Sequence, residues 1–74
     1  MIKIILRDVR VSKHISIRQL SRLSGVSCGH ISEIETGKKM PTLDGVVRLA
    51  LALGVRPAEL YLIYKDTRYR DNER

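Results

Sequence analysis

Much is scarce in this chain of 74 residues, and each scarcity removes a class of answer. A single cysteine allows no internal disulfide, which favours a reducing compartment and makes the cytoplasm the expected location. No apolar run approaches the roughly 20 residues of a membrane span. The opening Met1-Ile2-Lys3-Ile4-Ile5-Leu6 is too short for a signal peptide and lacks its flanks, so no membrane partner is expected. Phe and Trp are absent and Tyr occurs three times, which leaves little for the base-stacking modes of single-strand or RNA recognition. Two His, one Cys and no clustered carboxylates make no catalytic constellation, so neither an enzyme nor a cofactor is expected. Cys28 and His30 stand two apart, pointing to different sides of a helix, and do not read as metal ligands.

Positive charge is what the chain has in excess. The formal net charge is +6, and it is uneven: residues 1–39 hold eight Lys/Arg against three Asp/Glu, while residues 40–74 hold six against five. Such an excess in one half argues for an anionic partner. The length allows one domain with one small core.

The densest local pattern runs from Ile17 to Thr36 and predicts two short helices joined by a tight turn. Ser16 is a good N-cap, and Gln19 three residues later completes a capping box. Leu20 and Leu23 are the expected inward side chains. Gly25 ends this helix, Val26 fills the corner, and Ser27 caps the next helix, which buries Ile31 and Ile34 and stops before Gly37. A turn this short makes the helices cross steeply over a shared core. Upstream, Leu6 and Val9 face inward on a first helix, with Ile15 beyond it. Lys3, Arg7 and Arg10 make a basic face if that whole region is helical. Ile2, Ile4 and Ile5 fit either the start of that helix or a short strand. Downstream, Thr42 caps a helix from Leu43 to Leu53 that Gly54 closes. Its inward set is Leu43, Val46, Leu49, Ala50 and Leu53; Val47 and Leu51 widen the apolar arc beyond one core face. A dimer partner or the C-terminal segment would cover them. Pro57 suits the first position of a fifth helix. Tyr61-Leu62-Ile63-Tyr64 either extends that helix or pairs as a strand with Ile2–Ile5, and such an edge suits dimerisation through Tyr61 and Ile63. Beyond Lys65 the composition turns polar and charged, and 67–74 reads as a flexible tail.

These residues resemble the Cro/cI-type (XRE-type) helix-turn-helix DNA-binding domains, relatives of the phage lambda repressor. The resemblance is carried by Leu20, Gly25, Val26, Ser27, Ile31, Ile34 and Glu35, then Gly37-Lys38, Pro41-Thr42-Leu43, Leu49-Ala50, Ala52-Leu53-Gly54-Val55 and Glu59-Leu60, from about Leu6 to Tyr61. It implies an all-α, five-helix lambda-repressor-like domain over residues 1–66, with the helix-turn-helix at 17–36 and, as an alternative ending, a short β element from the terminal segments. The implied function is sequence-specific binding of double-stranded DNA by a transcriptional regulator, most simply a repressor acting as a homodimer on a palindromic operator. The alternative is a protein-interaction module, or an antitoxin- or controller-type partner, that keeps the fold with little sequence readout.

The resemblance also implies roles for residues. Arg10 pairs with Glu35 and turns a guanidinium towards phosphate. Ser27, Cys28, Gly29, Ser32 and Glu33 face the bases. Lys38 and Lys39 lie along the backbone, and Ser16 and Arg18 make further phosphate contacts. Here the chain departs from the family: Ile17 stands where Gln often contacts phosphate, and Cys28 and Gly29 replace longer donors. Direct readout is therefore expected to be sparse, with shape and bridging water contributing. Glu33 either accepts from cytosine or limits binding to wrong sequences. Cys28 is either a small groove-facing residue or a redox-sensitive one. His14 stands where the family has Gly in a left-handed turn.

Overall fold

The computed structural model describes residues 1–64. The expected tail at 67–74, and the end of the 1–66 domain, lie outside the described residues. Strand β1 (Ile2–Ile4) leads into helices α1 (Leu6–Ser12), α2 (Ile17–Ser24), α3 (Cys28–Glu35) and α4 (Leu43–Leu53). A single 3-10 turn (Pro57–Leu60) and strand β2 (Tyr61–Ile63) complete the order.

The helix ends are written in local chemistry. Ser16 Oγ accepts from Gln19 N–H at 3.0 Å and Gln19 Oε1 accepts from Ser16 N–H at 2.8 Å, which completes the capping box. Ser27 and Thr42 cap α3 and α4 through His30 N–H at 3.1 Å and Gly45 N–H at 3.0 Å. After α1 the left-handed position is held by His14, at φ 58°. His14 N–H donates to Val11 O at 2.9 Å and Ile15 N–H to Arg10 O at 3.2 Å, a doubly bonded helix end.

One core joins the elements: Leu6, Leu20, Ile31, Ile34, Val46, Leu49, Ala50, Leu53 and Leu60 are all buried, with Val9, Ile15, Ile17 and Val26 packed around them. At roughly 1.5–3 kcal/mol for each fully buried large apolar side chain, this set is the main stabilising term.

The architecture departs from five helices. Among the described residues there are four α-helices, and the fifth is reduced to the 3-10 turn. Glu59 accepts from Arg56 N–H at 2.9 Å and fixes the turn's start. Its end is fixed by the β-prone Tyr61-Leu62-Ile63, which leaves the turn to pair antiparallel with β1, Ile2 opposite Ile63, Lys3 opposite Leu62 and Ile4 opposite Tyr61. The bond from Ile5 N–H to Leu60 O, at 2.9 Å, ties α1 to the same corner. With Lys3 in a strand, the helical face Lys3–Arg7–Arg10 does not form.

Two expected core residues are on the surface. Leu23 is 63% exposed, because the inward face of α2 runs Leu20–Ser24 at a four-residue step. Ser24 is buried and its hydroxyl accepts from Val26 N–H at 3.1 Å, which stiffens the turn into α3. Leu43 is 82% exposed. It occupies the first turn of α4, beyond the packed layer formed by Val46, Leu49, Ala50 and Leu53.

Candidate nucleic-acid interface

Helix α3 is held by its neighbours on one side and open on the other. Ile31 and Ile34 are buried against the core, and Glu35 is anchored by α1. Arg10 grips Glu35 with a two-pronged fork, Nε to Oε2 at 2.6 Å and Nη2 to Oε1 at 3.0 Å, while Nη1 donates to Ile15 O at 2.9 Å. The side chains are only 11% and 6% exposed. The guanidinium is held further above its ordinary range by the hydrogen bond to Glu35, partly offset by burial and reinforced by the carboxylate's charge. So engaged, Arg10 ties α3 to α1 through three of its five N–H groups.

On the open side stand Ser27, Cys28, Gly29 and Ser32, all exposed, and Glu33, half-buried. A side chain added at Gly29 would meet nothing within 4 Å, so no packing demand calls for glycine there. Cys28 is a free, exposed thiol. Two residues that sequence reading passed over belong to this side or its flank. Thr36 follows Ser32 by four residues and Gly29 by seven, the spacing of one helical face. Its hydroxyl donates back to Ser32 O at 3.0 Å. His30 flanks the face, with Nδ1 3.8 Å from Glu33 Oε1. Spacing alone placed both within reach of the face; neither carries a motif that singles it out.

The loop after α3 is built tightly. Gly37, at φ 82°, takes the left-handed position that ends the helix. Its N–H donates to Ile34 O at 3.2 Å, and Lys38 N–H donates to Glu33 O at 2.9 Å. Lys38 and Lys39 are thus presented, exposed, at the C-terminal end of α3. At the start of α2, which packs on α3, Ser16 and Arg18 are exposed too. The capping box takes up the Ser16 N–H, while the N–H groups of Ile17 and Arg18 lie in a first turn that has no intrahelical acceptors. The site therefore gathers Ser27, Cys28, Gly29, Ser32 and Glu33 on one helix, with Ser16, Arg18, Lys38 and Lys39 around it; Arg10 stands behind it.

The remaining predicted residues form another surface. Leu51 is 75% exposed and Ile63 72%, Val47 less so, and Tyr61 is partly buried. Leu43, Val47 and Leu51 succeed each other at four-residue steps along α4. Leu43 also lines a shallow apolar groove of about 350 Å³ with Ile2, Met40, Tyr61 and Ile63. Among the described residues no group of three His, Cys, Asp or Glu is placed to hold a metal ion, and no helix is long and apolar enough to cross a membrane.

A short helix crossing an exposed second helix through a three-residue turn, locked from behind by an ion pair, defines a helix-turn-helix domain. The helix-turn-helix family model matches residues 6–60, and the chain belongs to that XRE-type family, whose members bind double-stranded DNA. Among curated proteins, the chain is 39% identical over 57 residues to an uncharacterized HTH-type transcriptional regulator of Mycobacterium tuberculosis, covering 77% of this chain and 41% of that protein. It is 34% identical over 70 residues to the transcriptional regulator ClgR of the same organism, covering 95% of this chain and 62% of that one. The chain thus spans less than two thirds of the length of either relative. Among solved structures, the restriction-modification controller protein C.AhdI from Aeromonas hydrophila superposes with a TM-score of 0.71 at 33% identity, over 73% of this chain and 82% of that one. A putative DNA-binding protein from Bacteroides fragilis gives 0.77 at 31% identity, over 84% of this chain and all of that one.

Proposed function

We propose that this chain is a sequence-specific double-stranded DNA-binding transcriptional regulator, a repressor in its simplest mode, working in the cytoplasm as a homodimer on a palindromic operator. The observation that carries the reading is the open side of α3, where Glu33 is the one long side chain among small ones, bracketed by Arg18, Lys38 and Lys39. The major groove is wide enough for one helix, and a helix enters it deepest where its own side chains are small. Ser27, Cys28, Gly29, Ser32 and Glu33 face the bases, while Ser16, Arg18, Lys38 and Lys39, with the N–H groups of Arg10 that Glu35 and Ile15 leave free, hold phosphates and fix the register. Thr36 joins the first set. With so few long donors, part of the discrimination comes from DNA shape and bridging water.

Dimerisation uses the exposed Val47, Leu51 and Ile63 and the partly buried Tyr61, joined by Leu43. Two copies then place their α3 helices roughly 34 Å apart, one turn of duplex. The likeness to a restriction-modification controller supports a second reading, a controller-type partner that uses the same fold with little sequence readout.

Selection from random duplex DNA at physiological salt tests the proposal. Enrichment of a palindrome with half-site centres about ten base pairs apart is the expected result. Weak binding with no enriched sequence would leave only backbone contacts and reject sequence reading by α3.

A further inference from the structure

We propose that the free edge of β1 is a docking site for an extended acidic segment of another protein, which joins the sheet as a third, antiparallel strand beside Lys38 and Lys39.

The register of the sheet decides which way the backbone of β1 points. Met1 and Tyr64 exchange both bonds: Tyr64 N–H donates to Met1 O at 2.8 Å, and the Met1 amino group to Tyr64 O at 3.2 Å. Opposed residues in an antiparallel pair alternate between bonded and unbonded. Lys3 opposite Leu62 is therefore the next bonded pair, while Ile2 and Ile4 stand unbonded against Ile63 and Tyr61. The N–H and C=O groups of Ile2 and Ile4 point away from β2, and among the described residues nothing outside the sheet bonds them. Such a row is a template for one more strand.

That edge forms one wall of a groove of about 710 Å³, and residues 35–40, the end of α3 and its loop, form the other. Ile34 and Met40 contribute apolar lining, and Lys3, Lys38 and Lys39 contribute three cations. The one carboxylate of the lining, Glu35, is already forked by Arg10. Among the described residues none of the three lysines has an ion-pair partner. The groove thus offers hydrogen bonds to a backbone and positive charge to the side chains it carries.

The charge selects the occupant. A second copy paired through the same edge would bring two sets of these lysines together, and lysine on an edge strand is a common bar to such pairing. Residues 65–74 hold four Lys/Arg against three Asp/Glu and do not offset them. An acidic segment does. Directly opposed residues share a face of the sheet, so the residue set against Lys3 is Asp or Glu. Those set against Ile2 and Ile4 are apolar, because they extend the face on which Ile4 packs against the core. Lys38 and Lys39 are also the residues that the proposed docking sets against phosphate, so a partner seated here opposes DNA. That consequence rests on the docking; the seating itself does not.

The probe is the blocked peptide Glu-Val-Glu-Val-Glu. The control is Glu-Pro-Glu-Pro-Glu, equal in charge but without the N–H groups that would donate to Ile2 O and Ile4 O. Each is titrated into the isotope-labelled full chain without DNA. The probe should shift residues 2–4 and 36–40 and slow hydrogen exchange at the Ile2 and Ile4 amides, while the Lys3 amide, already paired, changes little. It should bind about tenfold more tightly than the control, the expected worth of two backbone hydrogen bonds. Lys3→Gln should weaken the probe about threefold. Equal binding of the two peptides would leave charge attraction alone and overturn strand addition. So would Ile2 and Ile4 amides already protected in the free chain; dependence of that protection on concentration would assign the edge to a second copy, and independence to residues 65–74. In excess, the probe should weaken binding of a selected duplex more than the control does. Equal weakening would overturn the opposition to DNA and leave the seating in place.

Discussion

Arg10 and Glu35 show how much one side-chain pair governs the presentation of α3. The fork at 2.6 and 3.0 Å lies almost wholly inside the fold, so removing one partner strands the other's charge. Arg10→Ala or Glu35→Ala should each cost about 3 kcal/mol and lower the thermal midpoint by roughly 15 °C, measured by calorimetry. The double replacement by Met and Leu should cost less than either single change, because it strands nothing. Gly29 makes the opposite case. Its added methyl meets no protein atom, so Gly29→Ala should raise stability by about 0.5 kcal/mol in denaturant unfolding. It should also weaken duplex binding, since the methyl projects where DNA is expected. A gain in both would remove Gly29 from the interface. At this scale the sequence is only partly legible. The pairing of Arg10 with Glu35 comes from family resemblance, since nothing local joins residues 25 apart. Leu23 is out and Ser24 in because three- and four-residue steps from Leu20 both fit a helix face, and hydrophobicity favours the wrong one.

At the scale of elements, the starts of α2, α3 and α4 are legible because each carries its own cap: Ser16 with Gln19, Ser27 and Thr42. The terminal strands are not decidable from local pattern. Ile2–Ile4 and Tyr61–Ile63 become strands only through each other, across almost the whole described chain, and no single window contains both. That pairing also explains why the fifth helix stops after one turn. In the proposed docking, phosphate anchoring depends on the loop that ends α3. Its backbone bonds to Glu33 O and Ile34 O fix where Lys38 and Lys39 stand. Replacing both lysines by Glu should leave the fold intact. The dependence of log affinity on log salt should become shallower by roughly 0.9 for each phosphate no longer neutralised. An unchanged slope in fluorescence titrations at several salt concentrations would put phosphate elsewhere.

For the whole molecule, the unpaired apolar surface is the remaining question. Leu43, Val47 and Leu51 line one stripe of α4, and Leu43 meets Ile63 and Tyr61 across the shallow groove. Periodicity shows that the apolar arc of α4 is too wide for one face; it does not show that Leu43 lies outside the core, because a first-turn residue shares the periodicity of those behind it. If this surface joins two copies, Leu51→Glu with Ile63→Glu should halve the mass seen by sedimentation at micromolar concentration. It should also reduce affinity for a two-half-site duplex far more than for a single half-site. A doubly substituted chain that keeps the wild-type mass would move the dimer contact off this surface.

The central claim is that the open side of α3 is the face that meets DNA. Mapping backbone amide shifts of the isotope-labelled chain as a selected duplex is added tests it most directly. The account predicts the largest changes at Ile17 and Arg18, through Cys28, Gly29, Ser32 and Glu33, and from Thr36 to Lys39, with the buried core little affected. Changes centred on α4 and the two strands, with α3 unmoved, would contradict it and make the apolar stripe, rather than the helix-turn-helix, the working surface of this chain.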